Sequence, residues 1–465
     1  MANPRKTVIG STSVVLAIST ALFLIGSLGE GQAFQATASN TNLLPFTDAS
    51  GVISSYSTTG AIDFKNPFFQ NLGTNQRTCV TCHSPAAGWS VTPSDLRTQF
   101  MMTGGTHPVF RTNDGSTCDT VDVSTVAARR VAYSLLLTKG LYRIAIPVPA
   151  NAEFTVMAAD NPYGCNSTST LSLYRRPLPT ANVSFLSTVM WDGRESLAGN
   201  TLEQNLAHQA NSATMGHAQA AAPLTDAQQH EIVKFETALF TAQAFDFSAG
   251  NLHAAGALGG PKELSTQPFY IGINDPLGGD PTGGQFNPVV FTIYSAWEKL
   301  SGGGSVQAAR ASVGRGEAIF NTRQFNITGV GGLNDLLGTD PLPGTCTLCH
   351  DSPNVGHHSI SMPLNLGIND VSLRTPDMPL ITLTHNVTGE TIQTMDPGRA
   401  LVTGKWVDIG KTKGPILRGL AARPPYFHNG SSSTLTEVVN FYNTRFSIGL
   451  SDQDKTDLVN FLKTL

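Results

Sequence analysis

The sequence predicts a mainly α-helical fold with long loops and two domains. Three segments have the polar caps and the three- or four-residue apolar spacing of amphipathic helices, and no strong run of alternating residues predicts strands. Stretches rich in Gly, Pro and Asn at residues 249–290 and 326–345 predict long loops. A chain of 465 residues has room for two or three domains, each large enough to bury a core.

The three helices have recognisable beginnings. Thr225 and Gln228 form a capping box, in which each side chain bonds the backbone N–H of the other residue, and Thr434 and Glu437 form a second one. A last helix begins near Ser451. The apolar stripes of these helices are Ile232, Phe235 and Leu239; Leu435, Val438, Val439 and Tyr442; and Leu458, Phe461, Leu462 and Leu465.

The composition argues against a nucleic-acid-binding protein and against a disordered one. Charged residues make up 13% of the chain, against about 25% in an average soluble protein, and the net charge is −4. Because there is no basic excess, the sequence gives no support to nucleic acid as a partner. Apolar residues make up 40% of the chain, which favours a globular protein over a disordered one.

The N-terminus has the pattern of a secretory signal. Arg5 and Lys6 precede an apolar stretch at residues 8–28, and small residues follow at 31–33 and 36–38. We therefore predict a signal over residues 1–38 and a mature protein in the periplasm or at the cell surface. The alternative is an uncleaved membrane anchor, because the apolar stretch is long enough to span a bilayer.

Two short motifs indicate the chemistry. Residues 79–83 (CVTCH) and 346–350 (CTLCH) both match Cys-x-x-Cys-His, the signature of c-type haem attachment. Two intervening residues let the thiols reach the two haem vinyl groups, and the adjacent imidazole then ligates the iron. The sequence therefore predicts two covalently bound c-type haems. The predicted attachment residues are Cys79, Cys82, Cys346 and Cys349, with His83 and His350 as iron ligands.

Two other interpretations of the cysteine pairs are weaker. A structural zinc site made from both pairs would normally hold them much closer in sequence. A redox dithiol would need a thioredoxin-like βαβ context, which the sequence does not have. The export signal and the histidine after each pair favour haem.

Each haem motif marks one predicted cytochrome c-type domain. The flexible run at residues 301–305 (SGGGS) is the predicted joint, and residues 313–320 (VGRGEAIF) read as the opening helix of the second unit. The predicted domains are therefore residues 39–303 and 304–465.

Two further cysteines remain outside the haem motifs. In an oxidising compartment Cys118 and Cys165 would form a disulfide, and the alternative is two buried thiols.

The second axial ligand of each iron decides the function. Methionine opposite histidine is typical of an electron carrier, whereas an open position lets the iron bind peroxide. Met362, Met378 and Met395 follow the second haem motif and are candidates, as is Tyr442 on its helical stripe. An ordinary core tyrosine is the alternative interpretation of Tyr442.

Several segments resemble one family. Residues 414–442 (GPILRGLAARPPYFHNGSSSTLTEVVNFY) resemble the C-terminal signature of bacterial di-haem cytochrome c peroxidases and MauG. Residues 191–194 (WDGR), followed by 202–204 (LEQ), resemble the segment between the haems of that family. With both haem motifs in the same order, the resemblance covers roughly residues 60–465. It is poor over the long stretches at 100–175 and 249–300.

The resemblance implies a role for each matched residue. The N-terminal haem would react with hydrogen peroxide and the C-terminal haem would transfer electrons, with Trp191 between them as a relay. Tyr442 falls at the distal position of the second haem, where the peroxidase branch generally has methionine and the MauG-like branch has tyrosine. His428 matches a histidine that supports the site without binding iron. The implied partner is an electron-donor redox protein or an oxidisable protein substrate.

The sequence departs from the family at the acid/base position. A family glutamate lies ten residues beyond the glutamine matched by Gln204, and Thr214 stands there instead. Threonine does not titrate in the range that peroxide cleavage needs. The candidate substitutes are Glu203, His208, His217 and the more distant His107. We take Trp191, Gln204, Glu203 and His217 as the candidate catalytic residues.

The inter-domain calcium site of the family is only partly matched. The carbonyl groups of Arg423 and Pro425 could serve as ligands, but the family's asparagine position falls near Arg176 and Pro177 instead. The sequence leaves the presence of calcium and the oligomeric state open, a dimer included.

Two rival functions follow from the same motifs. A conventional peroxidase would reduce hydrogen peroxide with electrons from a small redox protein. A non-catalytic di-haem electron carrier would have two six-coordinate haems with methionine ligands.

Overall fold

The fold is a mixture of helices and sheets, so the prediction of a mainly α fold is wrong. The computed structural model describes residues 42–465, and the predicted signal at residues 1–38 lies outside the described residues. Of the described residues, 30% are helical and 16% are strand, with several separate sheets. None of the helices within residues 42–465 is long and apolar enough to cross a membrane.

Eleven α-helices occur in the described residues. They are α1 (Pro93–Thr103), α2 (Val126–Ala132), α3 (Ser134–Lys139), α4 (Leu202–Gly216), α5 (Asp226–Thr237), α6 (Pro261–Leu264), α7 (Ser305–Thr322), α8 (Asn334–Leu337), α9 (Ala400–Thr403), α10 (Leu435–Arg445) and α11 (Asp452–Lys463).

The strands are short and all of their pairings are antiparallel. They are β1 (Leu44–Thr47), β2 (Gly51–Ser57), β3 (Tyr142–Pro147), β4 (Phe154–Asp160), β5 (Thr170–Arg175), β6 (Leu239–Asp246), β7 (Gly250–Asn251), β8 (Phe325–Ile327), β9 (Leu342–Gly344), β10 (Leu380–His385) and β11 (Thr391–Thr394).

The sheets combine strands that are consecutive in sequence with distant ones, since β2 pairs with β6 and β4 pairs with β10. Their strand orders are β1-β2-β6-β7, β11-β10-β4, β3-β5 and β8-β9. The central strands β2 and β6 are buried along most of their length, so they lack the apolar and polar alternation that marks a half-buried strand. This burial explains why sequence patterning missed them.

The predicted helices are present, and the predicted loops are partly correct. The helices with the capping residues Thr225, Thr434 and Ser451 are α5, α10 and α11. The predicted opening helix at residues 313–320 is part of α7, which begins earlier, at Ser305. The predicted loop at 249–290 holds only β7 and the one-turn α6, whereas the predicted loop at 326–345 contains most of β8 together with α8 and β9.

Strand pairing links the two sides of the predicted joint. Strand β4 precedes residue 303 and pairs with β10, which follows it. On the C-terminal side, α7 packs closely on α11, where a Cβ atom at Gly316 would overlap the backbone of Asp457. The domain boundary at 303 stays a prediction.

One disulfide and one buried ion-pair network join distant segments in the middle of the chain. Cys118 and Cys165 form a disulfide, the first of the two alternatives raised from the sequence. The fully buried Arg175 of β5 donates to both carboxyl oxygens of Asp396, at 2.7 and 2.9 Å, and to Asp192 at 2.5 Å. The second link ties β5 to the segments around residues 192 and 396.

We expect Asp396→Asn to lower the free energy of unfolding by about 3–5 kcal/mol, because it leaves Arg175 buried with less compensation. Burial raises the pKa of Asp396, but Arg175 outweighs burial, and the pKa is lowered overall. The stabilisation of the wild type by this ion pair is therefore lost as the pH falls below about 4. The difference in the free energy of unfolding between the wild type and the variant shrinks over the same range. Chemical denaturation at neutral and acidic pH measures both effects.

The control is Asp160→Asn, which removes an exposed ion pair with Arg374. It should change stability little at either pH. Equal stability of Asp396→Asn and the wild type at neutral pH would contradict the prediction.

Candidate active site

The two Cys-x-x-Cys-His segments fold in the same way. In each, the first three residues form one turn of 3₁₀ helix, Cys79–Thr81 and Cys346–Leu348. The N–H of the histidine, His83 or His350, then donates to the carbonyl of the first cysteine at 3.1 and 3.2 Å. This turn brings two thiols and one imidazole to the same cavity.

Both histidine rings are set up to ligate a metal through Nε2. The Nδ1 atom of His83 lies 3.1 Å from the Trp89 carbonyl, and that of His350 lies 2.8 Å from the Gly356 carbonyl. A carbonyl only accepts, so Nδ1 carries the proton and Nε2 is left for the iron. Burial lowers the pKa of His83 to about 4 and also lowers that of His350, which keeps both rings neutral.

The first haem segment is held by the four-stranded sheet. The indole of Trp89, whose carbonyl fixes His83, donates to the Ser55 hydroxyl of β2 at 2.7 Å. That hydroxyl lies 3.2 Å from the Thr241 hydroxyl of β6. The unpredicted sheet therefore positions one predicted iron ligand.

Each segment opens on a large, mainly apolar cavity. Cavity 1 is lined by Cys79, Cys82 and His83, and it contains about 1630 Å³ of space between atoms, part of it open to solvent. Cavity 2 is lined by the second Cys-x-x-Cys-His segment and contains about 1750 Å³. The cavities are similar in size and in attachment chemistry, and both suit a flat apolar group.

One wall separates the two cavities. Five residues line both of them, namely Arg176, Pro177, Trp191, Lys413 and Pro415. The indole N–H of Trp191 donates to the Arg176 carbonyl at 2.8 Å, and the Lys413 N–H donates to the Trp191 carbonyl at 2.8 Å. The ring of Trp191 is thus held between the cavities, 8% exposed.

Cations at this wall lack anionic partners. Arg176, Lys413, Arg418 and Arg423 line one or both cavities, and none forms an ion pair with a carboxylate of residues 42–465. They donate to backbone carbonyls instead. Burial lowers the pKa of Lys413 to about 7 and that of Arg176 to about 9.

Buried cations without partners are unfavourable unless a ligand supplies the negative charge. A haem carries two propionate groups, so haems in the two cavities would provide it. The thiols, the imidazoles, the apolar linings and these cations therefore fit c-type haem.

Tyr442 lies at cavity 2, whereas the three candidate methionines do not. Tyr442 of α10 lines this cavity, and burial raises its pKa well above the ordinary value. Met378 and Met395 pack in a separate cluster around Tyr174, and Met362 packs behind the cavity lining. Among the described residues no methionine lines cavity 2, and Met190 lines cavity 1.

His428 lies at cavity 2 beside the shared wall. Its ring centre is 6.0 Å from that of Trp191, and its Nε2 atom is 2.8 Å from the Asn369 side-chain oxygen. This position suits a residue that supports the site through its neighbours.

Two of the candidate catalytic residues lie away from cavity 1. Glu203 and Gln204 are exposed in the first turn of α4, and the Gln204 side chain is used in a capping box with Thr201. Thr214 is buried and lines the cavity, but its hydroxyl donates to the Ala210 carbonyl at 2.8 Å.

The histidine candidates differ in position. His217 lines cavity 1, and its Nδ1 atom is 2.6 Å from Asp114. His208 is half exposed and pairs with Glu195, and neither it nor His107 lines the cavity.

A buried charge network behind His217 escaped sequence reasoning. Arg77 pairs with Asp114 at 2.6 Å, and both line cavity 1. Burial raises the pKa of Asp114, but the hydrogen bond from His217 and the charge of Arg77 lower it overall. Neither residue lies in a recognisable motif, and 37 positions separate them in sequence.

Glu236 is a second residue that sequence reasoning missed. It lies in the last turn of α5, is 4% exposed and lines cavity 1. Burial raises its pKa to about 8. The available signal was a glutamate four residues after Ile232, on the apolar stripe of the helix.

The calcium prediction gains no support. The Arg423 carbonyl already accepts a hydrogen bond from Arg176 at 3.2 Å. Within residues 42–465, the one group of three potential metal-ligating side chains of Cys, His, Asp or Glu is Cys118, Asp119 and Cys165, and its cysteines form the disulfide.

Part of the chain is similar to proteins named cytochrome-c peroxidases. No family model matches the chain. Cytochrome-c peroxidase IdrP2 of Denitromonas iodatirespirans is 32% identical over 135 residues, or 26% of this chain and 36% of that protein. IdrP1 of the same organism is 32% identical over 143 residues, and IdrP1 of Pseudomonas sp. (strain SCT) is 31% identical over 142, with the same shares.

Over about a quarter of its length the chain is therefore similar to cytochrome-c peroxidases. It spans about a third of the length of the curated peroxidases that it matches. A crystal structure of a MauG-like protein associated with microbial copper homeostasis aligns over 86% of this chain and 87% of that chain. The identity there is 15% and the TM-score is 0.35.

We expect Cys79→Ala/Cys82→Ala to halve the haem content, because only the first segment loses its thioether bonds. The pyridine haemochrome assay and the intact mass measure the number of haems per chain. The control is Cys118→Ser/Cys165→Ser, which breaks the disulfide and should leave haem content unchanged. An unchanged haem content in the first variant would contradict the assignment.

Proposed function

We propose that the chain is an exported di-haem c-type oxidoreductase that reacts with hydrogen peroxide at the first haem site, residues 79–83. It shares the oxidising equivalents with the second site, residues 346–350, through Trp191. The observation that carries the proposal is that Trp191 lines both cavities. The names of the related cytochrome-c peroxidases support the peroxide chemistry.

The chain's own residues would hold one haem in each cavity. Two thiols would attach it, the histidine Nε2 would ligate the iron, and the cations of the shared wall would offset the negative charge of the propionates. When bound, haem supplies an iron that exchanges electrons and, with an open position, binds peroxide.

The network at cavity 1 can deliver protons. Reduction of one hydrogen peroxide to two waters consumes two electrons and two protons. His217 has 47% of its side chain exposed and also lines the cavity, so it connects solvent with the interior. Asp114 orients the His217 ring, and Arg77 keeps Asp114 ionised.

Trp191 is suited to electron transfer between the sites. An aromatic indole gives up and regains an electron more easily than an aliphatic side chain. Its N–H and carbonyl are both hydrogen-bonded to residues of the same wall, Arg176 and Lys413, so its position is fixed.

Tyr442 favours the MauG-like variant of this function. A phenolate stabilises high oxidation states of iron better than a thioether does. Burial disfavours the phenolate of Tyr442 in an apolar cavity, so a bound cation such as ferric iron is needed to form it. The electron source would be a redox protein or an oxidisable side chain of a protein substrate.

Location in the periplasm or at the cell surface rests on two features. The first is the signal pattern at residues 1–38, and the second is a disulfide, which persists mainly in oxidising compartments.

A conventional cytochrome c peroxidase is the second candidate, favoured by the names of the relatives. It would reduce peroxide with electrons from a small redox protein. The electron-carrier alternative is disfavoured, because cavity 2 has no methionine among its described lining residues.

Stoichiometric peroxide added to the fully oxidised protein should produce a long-lived oxidised state that involves both haem sites. We expect Tyr442→Phe to lose this state, because phenylalanine cannot ligate iron. Optical, EPR and Mössbauer spectra after rapid mixing measure it.

The matched control is Tyr426→Phe, which alters another tyrosine of cavity 2, one that bonds the Leu420 carbonyl. It should behave as the wild type. If the protein turned over peroxide rapidly only after pre-reduction, and Tyr442→Phe did not change that rate, the conventional peroxidase would be established. A resting protein without any high-spin haem would contradict both enzyme functions.

A further inference from the structure

Cavity 1 contains a carboxyl group with no assigned role. Glu236 is 4% exposed, and its Oε2 atom is buried without a hydrogen-bond partner in the described part of the chain. Burying such a group unpaired is unfavourable, so a buried carboxyl of this kind usually serves a function or meets a ligand.

Glu236 lies close to the first attachment site. Glu236 and Cys79 both line cavity 1, and Phe235, next to Glu236 in sequence, packs in the same apolar cluster as Cys79. Burial and then the charge of Glu236 raise the pKa of Cys79 to about 12. Helix α5 also packs on α4, whose residue Thr214 lines the same cavity without a titratable group.

The other carboxyl of the cavity is already committed. Asp114 is paired with Arg77 and hydrogen-bonded to His217, and these contacts hold it ionised. Among the described residues that line cavity 1, Glu236 is therefore the carboxyl that is free to gain and lose a proton.

We propose that Glu236 is the proton-transfer group for cleavage of the peroxide O–O bond in cavity 1. The inference rests on the proposed function. As a neutral acid, Glu236 donates its proton to the leaving oxygen, which departs as water with the electron pair of the broken bond. It regains a proton from the other peroxide oxygen, so the carboxyl is restored. The two electrons would come from the haem sites and be replaced by the reductant, and the second oxygen would leave as water with two protons delivered from solvent through His217.

The surroundings of Glu236 keep it neutral. Burial raises its pKa to about 8, and no charged neighbour contributes to that shift. The titratable groups of cavity 1 on the segments packed around it are Arg77, Cys79, Cys82 and His83 of the attachment segment and His217 at the end of α4. Both cysteines become thioethers when haem is attached and then no longer titrate.

The test uses the haem-loaded protein with Glu236→Gln, which keeps the shape of the side chain but cannot exchange its proton. We expect the rate of reaction with stoichiometric peroxide to fall about 100-fold or more. In the wild type this rate should fall as the pH rises through about 8, because the ionised carboxylate has no proton to give. The rate of the variant should not fall over this pH range.

Glu231→Gln is the matched control, since Glu231 is an exposed glutamate on the same helix. It should keep the wild-type rate and pH profile. Glu236→Asp retains a carboxyl and should recover part of the rate.

Infrared difference spectroscopy gives a readout that is independent of activity. The wild type should have the carbonyl band of a protonated carboxyl group that disappears above pH 8 and is absent from Glu236→Gln. Absence of this band from the wild type would overturn the inference even if the variant failed to fold.

The outcomes separate the inference from the proposed function. If the wild type and Glu236→Gln react with peroxide at the same rate, the role of Glu236 is overturned and the proposed function is not. A wild type that does not react at all overturns the proposed function and with it this role.

Discussion

The architecture depends on one wall that two cavities share. Trp191 is fixed in it by hydrogen bonds to Arg176 and from Lys413, and each of these three residues lines both cavities. Any group bound in one cavity is therefore separated from the other by a single layer of side chains. The fully buried Arg175, next in sequence to this layer, bridges Asp192 and Asp396, which anchors the wall to the rest of the fold.

Charge balance ties the cofactor to this wall. The cations at the wall have only backbone carbonyls as partners among the described residues, a costly arrangement in a buried region. Anionic haem edges would relieve it, so haem attachment and the stability of the wall are coupled. Burial also raises the pKa of Glu236, whose Oε2 atom has no hydrogen-bond partner in the described part of the chain.

Local chemistry was predictable from sequence, and long-range packing was not. The attachment residues, Trp191 and Tyr442 lie in contiguous motifs, and the structure brings them to the cavities. The strands were missed because β2 and β6 are buried on both faces. Asp114 and Glu236 come from unrelated segments, and only the fold brings them to cavity 1. Gln204 matched a family motif, yet its side chain is used to cap a helix.

Freeze-quench EPR after one equivalent of peroxide tests the shared wall most directly, in the wild type, Trp191→Phe and Trp297→Phe. The last is a matched control, because Trp297 is a buried indole that also bonds a backbone carbonyl but lines neither cavity. We predict that the ferric EPR signals of the two haem sites disappear together in the wild type and the control. In Trp191→Phe the signal of the second site should disappear much later than that of the first. Simultaneous loss in all three proteins would contradict transfer through Trp191.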